Sequence, residues 1–419
     1  MDPHLARLGP HSRCVHGGEH HLTRDRGTAS GAATPTVNAI DTSVTHLYPR
    51  IDELDAALGG SPDRFVYQRY GNPTARALTD ALSALCTHDP SLPLEAVATA
   101  TGMAAVHVAL LAALADSDNR RVAASRDCYG ASVAIVDQLL PSLGVEGHLV
   151  DASDNAAVAD LLAEVKPAVL LVETTSNPLL RVVDIAAVAR LCRAHGTLLV
   201  VDNTFPTPLT CRPLDLGADM ELHSATKYIG GHGDAMGGIV VARARHGPAL
   251  REHLKTTGGS LGSFEAWLLH RGLKTLPLRY RQQCRNAEQL AAWLGEHPRI
   301  ARVVYPGQPD HPEHQRAREQ FDGRFGAMLA FEIEGADQAA VFRFMERLRL
   351  VQPGTSLGDC YTLVLYPAHA SHRALTPAQR RAVGISDGLV RLSAGTEDVE
   401  DLIADLSQAL AVPPAPNTP

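Results

Sequence analysis

From about residue 95 onward the chain alternates between two textures. Short apolar runs, often β-branched, are each followed by an alanine-rich stretch in which apolar positions recur every three or four residues. "EAVATA" precedes "MAAVHVALLAAL", "RVAAS" precedes "ASVAIVDQLL", and "VEGHLV" precedes "NAAVADLLAEV". "AVLLVET" then precedes "DIAAVARLCRAH", and "TLLVVDN" closes the series. Runs of about five residues alternating with stretches of ten or more predict strands and helices in βα order, hence a parallel sheet covered on both faces. After "GGIVVAR", a further strand, the pattern gives way to long polar helices over "FEAWLLHRGLKTLPLRYRQQCRNAEQLAAWLGEH". A smaller α+β region follows, with "AMLAFEIEG" as a strand. Ahead of the alternation, residues up to about 65 are rich in His, Thr, Gly and Pro and show no sustained helical period, which reads as an extended arm. The terminal "AVPPAPNTP" reads as disordered, and no internal repeat is present.

A chain of 419 residues exceeds one ordinary core, so two domains are expected. Its net charge of -8 offers no basic footprint for nucleic acid. No apolar run reaches the roughly 18 residues of a membrane span, and the polar N-terminal stretch lacks a signal-peptide core. Seven cysteines are scattered without a CxxC pair, the usage of a protein with reduced thiols in the cytoplasm.

Ligands of open parallel sheets bind outside the carboxyl ends of the strands. Those ends carry Glu173 after "AVLLV", Asp202 after "TLLVV", and His223 with Ser224 after "ADMEL". Thr101, Gly102 and Met103 link "AVATA" to the following helix. A helix that starts on glycine offers bare amides to an anion, and the hydroxyls of Ser224 and Thr226 add donors, so a phosphate cradle is expected here. Lys227 lies beside it, in "SATKYIGGHGD", where a desolvated amine can form a Schiff base. Asp202 can partner a protonated ring nitrogen. Pyridoxal 5'-phosphate (PLP) needs all three features. Taken singly, such a lysine is usually solvated and such an aspartate usually caps a turn; together, in this order, they select PLP. Two competitors fall away. "GGHGDAMGG" precedes a strand, whereas a dinucleotide fingerprint follows one and opens a helix, and no GxxxxGK[ST] occurs. Cys14, His16, His20 and His21 in "CVHGGEHH" lack paired ligand spacing, so no metal site is expected.

Nine stretches carry a family resemblance: "YQRYGNPT", "TGMAAV", "YGAS", "ETTSNP", "VDNTF", "HSATKYIGGHGD", "SLGSFEAWLLHRGLKTL", "SLGDCYTLVLYPAHASH" and "VRLSAGTE". In this order, from about Val15 to Asp405, they resemble the Cys/Met-metabolism PLP enzymes. These include cystathionine γ-synthase, cystathionine γ- and β-lyases, methionine γ-lyase and the homoserine-ester sulfhydrylases. The resemblance implies the α/β, aspartate-aminotransferase-like type I PLP fold. Its parts would be an inter-subunit arm (1–65), a PLP-binding large domain with a mixed, mostly parallel seven-stranded sheet (66–270), a small α+β domain (271–412) and a disordered tail (413–419).

The same resemblance implies roles residue by residue. Lys227 holds the cofactor and shuttles protons, and Asp202 keeps the pyridine nitrogen protonated. Asn177 lies near the phenolic oxygen, while Tyr129 stacks on the ring and assists proton transfer at the leaving group. Gly102, Met103, Ser224 and Thr226 bind the phosphate of their own subunit, and Tyr67 and Arg69 that of a neighbour. This makes a homo-oligomer, at least a dimer and commonly a dimer of dimers. Arg391 clamps the substrate carboxylate, helped by Ser356. His16 falls in an arm motif.

The implied reaction is γ-elimination or γ-replacement on a Cγ-substituted L-amino acid, as in a C–S lyase or a transferase on activated homoserine. Tyr361 stands where many relatives carry a glutamate that meets a second amino-acid moiety, and Ala131 replaces the cysteine typical of methionine γ-lyases. Val44 and "FGAM" (325–328) also depart from the family pattern. An alternative is therefore a specialised γ-elimination of a non-thiol group, such as dehydrohalogenation of a 4-halo unsaturated amino acid towards an alkyne. An alternative of another class is a catalytically silent PLP-fold binding protein, against which the intact Lys227, Asp202, Tyr129 and Arg391 stand.

Overall fold

The computed structural model describes residues 5, 8–19, 36–60, 64–115, 117–373 and 375–411. His20, His21 and the tail expected over 413–419 lie outside these. The arm is less extended than the sequence implies, because it holds two short helices, α1 (Pro10–His16) and α2 (Ile51–Leu58). At seven and eight residues each is too short for a helical period to stand out. Local signals remain: Pro10 opens α1, whose last turn holds Arg13 and His16, and Asp52 and Glu53 sit in the first turn of α2. Helix α1 is docked, since Cys14 is fully buried in the main core and Arg13 Nη1 donates to Ala84 O at 3.0 Å.

After α3 (Pro73–Ser83), capped by Asn72, the expected alternation appears. It runs β1 (Leu94–Thr99), α4 (Gly102–Leu114), β2 (Arg121–Ser125), α5 (Gly130–Ala134), β3 (Glu146–Val150), α6 (Asn155–Val165) and β4 (Val169–Glu173). Then come α7 (Ile185–His195), β5 (Leu198–Asp202), β6 (Met220–Ser224) and β7 (Gly238–Arg243). Past its end α5 continues through a π-helical turn at Ile135–Leu139. The strands form one seven-stranded sheet in the order β1-β7-β6-β5-β4-β2-β3. Five neighbours, β3 to β6, are parallel, and β7 runs antiparallel to both strands beside it. One face packs Val122, Val169, Val200 and Leu222 against α4; the other packs Val172, Val201 and Leu199 against α6 and α7. Burial on both faces explains why the strands read as unbroken apolar runs.

The second half opens with α8 (Gly247–Thr257) and α9 (Ser263–Glu296). Where the sequence pointed to several helices, α9 is one helix of 34 residues with Pro277 inside it. The boundary expected at 270/271 falls within it. Its first half, with Leu269, Leu273 and Leu276, packs into the core that also holds Tyr228 and Ile229. Its second half, with Leu290 and Leu294, packs into the core of the smaller sheet.

The remaining elements are β8 (Ile300–Val304), α10 (His314–Gln320), β9 (Met328–Ile333), α11 (Gln338–Arg347), β10 (Gln352–Pro353), β11 (Leu363–Leu365), α12 (Pro377–Ala382), β12 (Leu389–Ser393) and α13 (Val399–Leu410). Their five strands are ordered β10-β11-β12-β9-β8, antiparallel except for the first pair. Among the described residues, no helix is long and apolar enough to cross a membrane.

Candidate active site

Parallel strands end on one edge, and that edge gathers the polar residues. Glu173 and Asp202 are the last residues of β4 and β5 and face each other in register. Ser224 ends β6, and Lys227 follows in the next turn. Helix α9 passes directly beneath this turn. A Cβ on Gly272 would lie 2.3 Å from Gly230 O, so only glycine permits the approach. Two turns on, Arg279 donates to Tyr228 O at 2.9 Å and Ile229 O at 3.3 Å, which pins the backbone after Lys227.

The residues expected to cradle an anion meet at the start of α4. Thr101 caps α4 by accepting from Ala104 N at 3.0 Å, and no hydrogen bond is made by the Gly102 or Met103 amide among the described residues. Gly102 abuts Ser224 so closely that a Cβ there would come within 2.8 Å of Ser224 Cβ and 2.9 Å of its Oγ. Thr226 Oγ1 accepts from Gly237 N at 3.0 Å and donates to Gly237 O at 3.2 Å, so its proton must turn from that carbonyl to reach a phosphate.

Asp202 Oδ1 is taken up by Thr204, accepting from its amide at 3.0 Å and its hydroxyl at 2.5 Å. Oδ2 receives no hydrogen bond among the described residues. Burial pushes the Asp202 carboxyl up from its ordinary range, while the Thr204 bonds and His223 hold it down. Burial, with Asp202 beside it, lifts the Glu173 carboxyl well above the usual range. Glu173 Oε1 accepts from Tyr129 N at 2.6 Å, fixing the backbone that carries the Tyr129 ring, which is 48% exposed.

The smaller half closes the site. Lys227 Nζ donates to Ser356 Oγ at 3.3 Å, and its ammonium is disfavoured by burial first and Arg391 second, with Asp359 opposing them. Arg391, on β12, is only 3% exposed. Its Nη2 donates to Ser356 O at 2.8 Å and its Nη1 to Asn177 Oδ1 at 3.4 Å, while Nε has no partner. No described carboxylate lies within ion-pair distance of it, and burial brings its pKa down to about 10. Tyr361, 45% exposed, lays its hydroxyl against Gly233, where a Cβ would sit 2.4 Å away.

Lys227, Asp202, Gly102, Ser224, Arg391, Asn177 and Ser356 are thus joined by direct contacts or by neighbours on one rim. Tyr67 and Arg69 are not joined to them: Arg69 lies over the rings of Tyr67 and Tyr70 and donates to Lys255 O at 2.5 Å. The set fits PLP, with an amine, a carboxylate oxygen left open, bare amides at a helix start, and a cradle that a single methyl group would fill.

Sequence reasoning passed over three groups. Thr204 could have been found from the Asp-x-Thr spacing of an Asx turn after a strand. Asp359, 2% exposed with Oδ1 unpartnered, gave no signal. Glu221 did, as a charge inside an apolar strand. Its Oε1 accepts from Asn203 Nδ2 at 2.8 Å and pairs with His223 Nε2 at 2.8 Å, all three fully or almost fully buried. With Cys86 this pair is the one group of metal-capable side chains among the described residues, lying within 4.8 Å of one another. Of the histidine-rich segment considered above, Cys14 is a core residue with its thiol pushed up to about 12 by burial.

The family model of Cys/Met metabolism PLP-dependent enzymes matches residues 20–411. O-succinylhomoserine sulfhydrylase of Pseudomonas aeruginosa is 40% identical over 375 residues, covering 89% of this chain and 90% of that protein. L-methionine gamma-lyase of Fusobacterium nucleatum subsp. polymorphum is 40% identical over 349 residues, covering 83% of this chain and 86% of its own. The crystal structure of cystathionine gamma synthase from Xanthomonas oryzae pv. oryzae, in complex with aminoacrylate and cysteine, superposes with a TM-score of 0.84 at 38% identity. The match covers 96% of this chain and 98% of that one.

Proposed function

The chain belongs to the Cys/Met-metabolism PLP-dependent enzymes, and from that premise we propose that it catalyses γ-elimination or γ-replacement on a Cγ-substituted L-amino acid. The observation that carries the reading is Arg391: a guanidinium buried with no carboxylate partner, sharing Ser356 with Lys227. Leaving such a charge unpaired costs several kcal/mol, and the α-carboxylate of an amino acid supplies the missing bidentate partner.

PLP, carried on Lys227, supplies the electron sink that makes Cα and then Cβ acidic enough for a substituent on Cγ to leave. Arg391 and Ser356 hold the substrate carboxylate. Lys227, kept from its ammonium form by burial and by Arg391, accepts a proton from one carbon and returns it to another. Asp202 Oδ2 accepts the ring N–H, and Gly102, Met103 and Ser224 bind the phosphate, with Thr226 once its proton turns. Asn177 Oδ1 receives Arg391, which leaves its amide donors for the phenolic oxygen. Tyr129, placed by Glu173, would stack on the bound cofactor and handle the proton at the leaving group. Tyr67 and Arg69, occupied with Tyr70 and Lys255 rather than with this rim, serve the phosphate site of a second copy in a homodimer or a dimer of dimers. We place the enzyme in the cytoplasm, in keeping with seven cysteines that are all free.

A second reading within the same chemistry rests on Tyr361. An aromatic wall where a carboxylate would meet a second ammonium favours a less polar leaving group, a halide included. Incubating holoenzyme with Cγ thioether, ester and halide amino acids, with and without a thiol, and weighing the products tests both. A 2-oxo acid with ammonia marks elimination, and a new thioether marks replacement. Absence of either from every member of the panel overturns the proposal and favours a silent binding protein.

A further inference from the structure

Strands β5 and β6 are paired only as far as Asp202 opposite Leu222, and the last backbone bond between them runs from Asn203 N to Leu222 O at 2.9 Å. Ser224 lies beyond that ladder. Its amide donates instead to the hydroxyl of Thr204, at 2.8 Å. The same hydroxyl donates to Asp202 Oδ1 at 2.5 Å, and the Thr204 amide reaches that oxygen at 3.0 Å. A hydroxyl has one proton to give and two lone pairs to receive. Here the proton is committed to the carboxylate and one lone pair to the amide of the serine.

We propose that Thr204 is a positioning residue that ties the carboxylate facing the cofactor ring to the serine facing its phosphate and so fixes their separation. The inference rests on the roles given above to Asp202 and Ser224. With Oδ1 held, Asp202 presents only Oδ2 to the ring. With its amide held, Ser224 keeps its hydroxyl beside Gly102. Thr204 bonds to both residues, so the placement of each depends on it.

The test uses the full-length chain freed of cofactor, titrated by equilibrium dialysis with PLP and, separately, with inorganic phosphate. T204V, which keeps the shape and removes the hydroxyl, is expected to weaken both affinities about tenfold, the size of one lost charge-assisted bond. T204S is expected to restore both. D202N should weaken PLP but leave inorganic phosphate unchanged. T204V binding phosphate as tightly as the parent, with D202N weakened for PLP, overturns the role of Thr204 alone. D202N binding PLP as tightly as the parent overturns the reading of the rim beneath it. Should T204V fail to fold, T204A against T204S decides by the same two titrations.

Discussion

The two sheets serve one site in opposite ways. In the large sheet the parallel strands converge at their carboxyl ends, so Glu173, Asp202 and Ser224 meet on a rim backed by two buried faces. In the small antiparallel sheet no such edge exists. Arg391 projects from within β12, and Ser356 and Tyr361 ride on the loop between β10 and β11. On the proposed reading, the rim would hold the cofactor and the small sheet with its loop would meet the substrate, the two joined through Ser356 where Lys227 and Arg391 both reach it.

The sharpest break falls on the rim. K227A should reduce turnover to background and leave no cofactor covalently trapped by borohydride, read by peptide mass mapping; a label on another amine would refute the assignment. R391A should raise KM by about a hundredfold or more while PLP stays bound, as judged from its absorbance. Loss of cofactor along with substrate affinity would show that the two scaffolds are not separable.

The pH dependence comes next. Burial and Arg391 lower the pKa of Lys227 and Asp359 raises it, so removing each charge should act in opposite directions. In the cofactor-free chain the pH midpoint for capture of PLP should rise in R391A and fall in D359N. The linked stability term has a definite sign. The folded chain binds fewer protons at Lys227 than the unfolded chain, so the penalty of burying it is absent above the ordinary lysine value and grows as pH falls towards the lowered one. Thermal midpoints across that window give a second readout. E173Q should be milder. Burial and Asp202 lift this carboxyl well above its usual range, which favours its neutral form, and the amide can still accept from Tyr129 N. E173Q should therefore keep its melting temperature and kcat within a few-fold, whereas E173A should lose both. Smallest of all, Y361E should raise activity on cystathionine relative to other substrates and leave PLP affinity unchanged; equal activity would count against the aromatic-wall reading.

How much of this was legible in the sequence follows the same division. Asp202 and Ser224 could be read because a parallel strand announces its own end, where an apolar run meets a polar residue. Arg391 could not be read this way. "LVRLS", like the strand around Glu221, sets a charge among apolar residues, which signals burial but names no partner, and only the family resemblance assigned it a role. Thr204 acts through Asp202 two residues away and Ser224 twenty away, and Asp359 through Lys227 more than a hundred away, which no periodicity reports. The single helix α9 was misread because Pro277 marks a break by local rules, while packing on both sides of it keeps the helix continuous.

That helix has a mechanical consequence. At about 1.5 Å per residue, α9 is a rod of roughly 50 Å with one end set in each core. A rod anchored at both ends cannot act as a swinging hinge. Any closing of the pocket over a bound amino acid must come from loops that travel, or from a bend near Pro277, which lacks the backbone donor found elsewhere along the rod. Exchange of the 356–361 loop between relatives is therefore a mild graft, whereas a cut or insertion between Arg271 and Gln283 would loosen both halves at once.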